Sequence, residues 1–371
     1  MKKILLITRP IAPPWDEASK NFAFSLAKDL SSDKDLEMHL MTNGFVKELP
    51  SDVIQEPIYT NSQNDFTFTQ KIRSLFFQFF MRKKFDINHY IFTPTLLNSW
   101  IIKNCIKSLK TKSIQTIATL REDVFSDEEI KKLIFADLVV TYSDYAKKKL
   151  EKLGINNVER IYPGIDLENY QPKKTRIAFE NYKPEDFVIN FSGEYTRLGA
   201  IDDVVNAFIE IAKEIPPSKL SMAVRVKNEK DAKKKKAIIE KLENANLLSK
   251  VVFHDNGNYK MTDIYNLCDI SLFPVQNMQG KFDVPLAVIE AMACEKPVII
   301  SDLPILREFA NDENSITIKS GAVEELINAI RDLYYNPEKR ARLGKGGRKF
   351  CEENFDIKKV AKKYKKIYKQ L

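Results

Sequence analysis

At 371 residues the chain is too long for one ordinary hydrophobic core and long enough for two domains. Apolar residues at 44% and charged residues at 30% exclude a disordered chain, and no run of about 18 apolar residues is present to cross a bilayer. The net charge of +8 comes from 59 basic and 51 acidic residues, and no groove-reading motif turns that modest excess into a nucleic-acid signal. The cysteines Cys105, Cys268, Cys294 and Cys351 lie far apart, which suggests buried thiols in a reducing compartment rather than a metal or redox pattern. Three histidines are too few for a histidine-rich metal site, so no metal is expected.

Met1–Pro10, MKKILLITRP, begins like a leader peptide, but its apolar part is only ILLI before Thr8 and Arg9. It reads as a first buried strand, and a cytoplasmic protein is expected. Strand-like runs then alternate with helical patterns. They fall at 3–8, 38–42, 87–92, 115–120, 136–142 and 158–162. The segment 162–186 holds three prolines and many charges without a period, which marks a linker. A second series follows at 186–192, 219–226, 250–254, 269–274, 297–301 and 315–318. Such alternation specifies an α/β chain with two successive doubly wound parallel sheets, whose ligands bind beyond the carboxyl ends of the strands. The natural site is then a cleft between the two domains. At the end, Ile357, Val360, Ala361, Tyr364, Ile367, Tyr368 and Leu371 share one face of a lysine-rich amphipathic helix.

The stretch 272–301, LFPVQNMQGKFDVPLAVIEAMACEKPVIIS, is the most informative in the chain. It parses as a strand end, a loop, a helix and another strand. Asp283 and Pro285 fall in the expected first turn, where proline's missing N–H has no intrahelical partner anyway. That end favours an anion such as a phosphate. Glu290 lies seven residues beyond Asp283, about 10.5 Å along a helix and on nearly the same face. Backbone donors at the tip and a carboxylate along the side suit a nucleotide. An ordinary helix with Asp283 as its N-cap satisfies the same pattern.

Taken in order, these pieces resemble the retaining glycosyltransferases of family 4, which have the GT-B fold. The landmarks are ADLVVTYSDYAKKKLEKLG (136–154), IYPGIDLENYQP (161–172), FSGEYTRLGAIDDVVNAF (191–208), CDISLFP (268–274), FDVPLAVIEAMACEKPVIISDLPILREF (282–309) and GRKFCEENFDIKKVAKKYKKIY (347–368). The resemblance implies two Rossmann-like domains. The acceptor-side one spans 1–172 and is completed by 355–371, whose helix crosses back to it. The donor-binding one spans 173–354. It implies a nucleotide-sugar donor, a sugar or lipid-linked acceptor, retention at the anomeric carbon and no bound metal. The acidic turn at 33–35 is not taken as a metal motif.

Several family positions are altered here. Glu290 matches the second of the family's two glutamates, expected on the ribose hydroxyls; the first would fall at Phe282, with Asp283 next door as a substitute. The family's Arg after the loop glycine corresponds to Glu194, following Gly193, and its Lys to Gly199, which leaves Arg197 to supply the charge on the diphosphate. Val284, Pro285 and Leu286, at the helix tip, are candidate donor contacts, and Asn256, in the loop after His254, is a candidate neighbour of the base. In the first domain Arg121 stands where the family often has a His. Trp15 and Asp16 lie in a proline-stiffened loop that suits sugar stacking and hydroxyl recognition, or simple packing under the loop. His89, at the end of an extended run, is an acceptor or donor contact or a structural His. Arg197, Asp283 and Glu290 are the expected catalytic group.

Residues 71–86 set Lys71, Arg73, Arg82, Lys83 and Lys84 around an aromatic middle, the pattern of an interfacial helix on anionic lipid or of a core helix with solvated ends. A lipid-linked acceptor and a peripheral position on the inner face of the plasma membrane follow from the first reading. The departures at Phe282, Glu194 and Gly199 also fit a non-catalytic subunit that keeps the fold.

Overall fold

Strands of a parallel sheet are covered on both faces and therefore read as nearly continuous apolar runs. The runs that the sequence marks become such strands in the computed structural model, which describes residues 1–13, 18–60, 66–173, 182–255 and 259–371. The chain divides into two compact units. One comprises Met1–Asp166, Phe282–Val284 and Asn354–Leu371, and the other Leu167–Lys281 and Pro285–Glu353. The sequence placed this division at 172/173 and kept 282–284 with the later unit.

The first unit is built on β1 (Lys2–Ile11), β2 (Leu36–Asn43), β3 (Ile54–Tyr59), β4 (Ile87–Ile91), β5 (Lys112–Ile117), β6 (Leu138–Thr141) and β7 (Val158–Arg160). All are parallel, in the order β3-β2-β1-β4-β5-β6-β7. The order reverses direction between β1 and β4, the topological switch point of a doubly wound sheet. The sequence reading had no β3. Its residues IQEPIY mix Gln, Glu and Pro with apolar positions, and Pro57 is tolerated because this strand lies at the sheet edge.

One face of this sheet carries the helices Ala18–Leu30 and Ile357–Gln370. Asp356 caps the latter by accepting from the Lys358 N–H. Ile357, Val360, Ala361, Tyr364, Ile367 and Tyr368 are buried among Ile4, Phe22 and Leu40, so the apolar face read from the sequence is the one that docks. Gly164 allows the entry: a Cβ there would lie 2.9 Å from the Ile357 backbone.

The second unit holds β8 (Phe187–Ser192), β9 (Ser218–Ala223), β10 (Val251–Phe253), β11 (Ile270–Phe273), β12 (Val298–Ser301) and β13 (Ser315–Ile318). They too are parallel, in the order β10-β9-β8-β11-β12-β13. Its switch point lies between β8 and β11. Among the described residues no helix is long and apolar enough to cross a membrane.

Candidate functional site

The loops that leave the carboxyl ends of β9, β8 and β11 are tied into one surface of the second unit. Gln276 donates its N–H to the Leu198 carbonyl at 2.9 Å, joining the loop after β11 to the loop after β8. Thr196 donates to Asp231 at 3.0 Å, and Asp231 accepts the Lys227 N–H at 3.2 Å, joining the loop after β8 to the loop after β9. Gly193 lets this backbone turn over Phe191, whose ring leaves no room for a side chain: a Cβ would lie 2.4 Å from it.

Four charged groups meet there. Arg197 donates from Nε to Glu194 Oε2 at 2.6 Å, pairs through its second nitrogen with Oε1, and reaches the Gly280 carbonyl at 2.8 Å. Lys227 Nζ lies 3.3 Å and Lys281 Nζ 3.7 Å from the same Glu194 oxygen. Three cations thus surround one carboxylate, and the cluster is two charges positive. Against the cost of burial, Arg197, Lys281 and Lys227 hold Glu194 down to about 2. Burial pushes the Lys281 ammonium below its ordinary value, opposed by the charge of Glu194.

Glu290 stands on the short helix Leu286–Ala293 of the same unit. Burial raises its carboxyl to about 7, while the nearby hydroxyls of Tyr170 and Tyr265 and the charge of Lys281 pull it down. Lys281 therefore acts on both Glu194 and Glu290 and joins the cluster to the helix. The Tyr265 hydroxyl is fully enclosed near Ser192 and Glu290, yet no hydrogen bond of ordinary geometry reaches it. Ser192 and Glu290 are the groups near enough to partner it, so this phenol braces the Glu290 carboxyl from inside the core.

Residues 173–350 match the family model described as glycosyl transferases group 1. The likeness to this family is carried by that segment, somewhat under half of the chain. It is similar to an uncharacterized glycosyltransferase of Methanocaldococcus jannaschii, with 26% identity over 256 residues that cover 67% of this chain and 62% of that one. The chain spans less than two thirds of the length of the curated relatives it matches. Among solved structures it resembles Anabaena HepE in complex with UDP (TM-score 0.77, 14% identity, all of both chains). It also resembles sucrose-phosphate synthase of Thermosynechococcus elongatus (TM-score 0.78, 18% identity, 100% and 99% of the two chains). These likenesses show the GT-B fold.

Against that family pattern, the structure brings Arg197, Gly193 and Glu290 to one unit and one end of its sheet. Gly199 cannot carry the family's Lys: its φ is +73°, and a Cβ would lie 2.7 Å from Gln276 Oε1. Lys227 and Lys281 supply positive charge instead, and the sequence reading named neither. The signal was present, since each lies in the loop after the carboxyl end of a strand that pairs with β8, β9 for Lys227 and β11 for Lys281. Tyr170 and Tyr265 were missed because they lie in segments that read as linker and core.

Asp283 is corrected. The helix begins at Leu286 with Pro285 as its N-cap, so Asp283 is not in its first turn and does not share a face with Glu290. It belongs to the first unit, where it is 4% exposed, accepts the Ser143 hydroxyl and gives its N–H to the Ala118 carbonyl at 2.9 Å. Phe282 and Val284 go with it. The Phe282 ring meets Tyr142 edge-on, and Val284 is buried. Pro285 and Leu286 lie in the second unit.

His89 is also corrected. It lies inside β4, fully buried, with Nδ1 2.6 Å from Tyr368 Oη and Nε2 2.7 Å from Thr116 Oγ1. Burial drives its pKa to about 3, so it is a neutral core residue with no surface for a substrate. Arg121 has a left-handed backbone (φ +56°) and a two-pronged ion pair with Asp123 at 2.9 and 3.1 Å. Trp15, Asp16 and Asn256 lie outside the described residues.

Proposed function

We propose that this protein transfers a hexosyl group from a nucleotide-sugar to a sugar or lipid-linked acceptor with retention of configuration, as the family 4 resemblance implies. The supporting observation is the net positive cluster of Arg197, Lys227 and Lys281 at the switch point of a group 1 glycosyltransferase domain. Transfer breaks the bond between the anomeric carbon and a diphosphate oxygen, and the costly product is the negative charge on the leaving diphosphate. Cations fixed beforehand at that place stabilise it without reorganising, the largest single contribution in many enzymes. They do so in place of a metal ion, so transfer proceeds in the presence of a chelator.

Glu290 accepts the ribose hydroxyls in its ionised form, which its raised pKa of about 7 confines to neutral pH and above, and Tyr265 supports that carboxyl from behind. The acceptor oxygen forms the new bond to the anomeric carbon, and its proton passes to the departing phosphate. No side-chain base is assigned. HepE structures hold UDP and UDP-glucose, which makes UDP-sugars the first donors to test.

Glu194 favours a second reading, a non-catalytic partner subunit, because its carboxylate already engages the three cations. Thermal shift and calorimetry with UDP-, GDP-, ADP- and dTDP-sugars, followed by product analysis, separate the two. Binding of one donor with transfer or slow hydrolysis supports the enzyme. Binding without turnover supports the subunit. No binding by any donor overturns the transfer reading and leaves the subunit.

A further inference from the structure

The helix Phe68–Met81 of the first unit packs on the core through Leu75, Phe77 and Met81, yet leaves several aromatic residues outside. Its buried residues are polar, Gln70, Ser74 and Gln78, whereas Phe68 is 74% exposed, Phe76 59% and Phe80 74%, with Phe79 exposed beside them. Gln78 donates to Ser74 at 3.0 Å, and Gln70 accepts the Thr60 N–H at 3.3 Å, so the inward amides have work in the fold. The outward rings have only one another and a cation: Phe76 stacks on Phe80, and the Arg82 guanidinium sits 4.4 Å from the centre of Phe79. Four phenylalanines turned to water on one helix form an apolar patch of the kind that functions when covered.

The charge around it identifies the cover. No Asp or Glu occurs from Phe66 to Lys84, which holds Lys71, Arg73, Arg82, Lys83 and Lys84. The neighbouring segment, Leu96–Lys112, also has no acid and adds Lys103, Lys107, Lys110 and Lys112. The two abut, since Arg82 reaches the Cys105 carbonyl at 3.4 Å. The second segment likewise exposes Leu97, Trp100 and Leu109. Among the described residues only Lys84 and Lys107 of these nine cations pair with a carboxylate, Glu56 and Asp137. A protein partner or a second copy with this surface would need a matching acidic face, and a second copy would instead set nine cations against nine. Aromatic side chains ringed by acid-free basic segments match the headgroup layer of a bilayer rich in anionic lipid.

We propose that the first unit docks on anionic membrane surfaces through the Phe68–Met81 helix and its C-terminal cations, with Phe76 and Phe80 entering the headgroup layer. This inference concerns the first unit alone and does not depend on the donor reading. The test is sedimentation of the full chain with vesicles of phosphatidylcholine alone or with 30% phosphatidylglycerol. Binding only to the anionic vesicles is expected, reduced roughly tenfold by Lys83→Glu and at least as much by Phe76→Ser with Phe80→Ser. Both variants keep their melting temperature, because the changed side chains are exposed, and Lys83→Glu carries the test if the double variant folds poorly. No binding to anionic vesicles at low salt overturns the proposal. So does a concentration-dependent oligomer that the phenylalanine variant dissolves, since that would make a second copy the occupant. Donor binding unchanged in the variants separates this outcome from failure of the proposed activity.

Discussion

Glu194 and Glu290 belong to the same unit and sit on either side of Lys281, yet their chemistry runs in opposite directions. Glu194, in a loop at a strand end, is pulled down to about 2 by three cations. Glu290, on a short apolar helix, is driven up to about 7 because burial outweighs two phenols and one more distant cation. The difference teaches that a carboxylate's role is set by how many charges its loop neighbours can bring to it. Glu194 is a permanent anion that organises cations. Glu290 is an enclosed carboxyl whose charge appears near neutral pH.

The comparison can be broken most sharply at the cations. Arg197→Ala and Lys281→Met should each lower kcat by about 10²–10³ while leaving the circular dichroism spectrum unchanged, the scale of removing one preorganised donor. Near wild-type turnover in both would remove the cluster from the mechanism. Glu290→Ala should weaken donor binding by about tenfold to a hundredfold, as expected for one hydrogen bond to a charged group. Isothermal titration reads that change directly.

Two pH effects sharpen the contrast. The folded pKa of Glu290 lies above its ordinary 4.5, so its protonated form favours the native state. That contribution, roughly 3 kcal/mol, is full below pH 4.5 and is lost as pH rises to about 7. Donor affinity through Glu290 should rise over the same interval, and Glu290→Gln should abolish both trends. Glu194 has the opposite sign: its stabilising ionised form is intact above pH 4.5 and is lost as pH falls toward 2. Glu194→Gln should therefore flatten acid unfolding, and it should tighten binding of a nucleoside diphosphate several-fold by releasing the cations. Smallest of all is the effect of Asp283→Asn on donor binding. Its partners Ser143 and Ala118 lie in the first unit, so a change under twofold is expected, with a melting temperature lower by a few degrees.

Strand periodicity and the terminal amphipathic stripe made both sheets legible in the sequence, except for β3, whose mixed IQEPIY pattern hides an edge strand. Glu290 is placed by its match to an ordered motif, and Arg197 only by its nearness to the altered positions Glu194 and Gly199. Asp283 could not, because a seven-residue spacing implies a shared face only if the helix has already begun. His89 misled because two hydroxyls from distant strands and helices satisfy it, and no local pattern reveals such partners. Lys227 and Lys281 were hidden for the same reason: they converge only when β9 and β11 are placed on either side of β8.

The last helix, Ile357–Gln370, fills the core of the unit that contains the first residues. On the ribosome, residues 1–166 emerge long before the piece that seals them, while the unit in between is made and able to fold. Phe22 and Leu40 of the first unit lack part of their cover until this helix is made. Truncation before Ile357 should therefore unfold the first unit and spare the second, since the lost side chains cover only the first core.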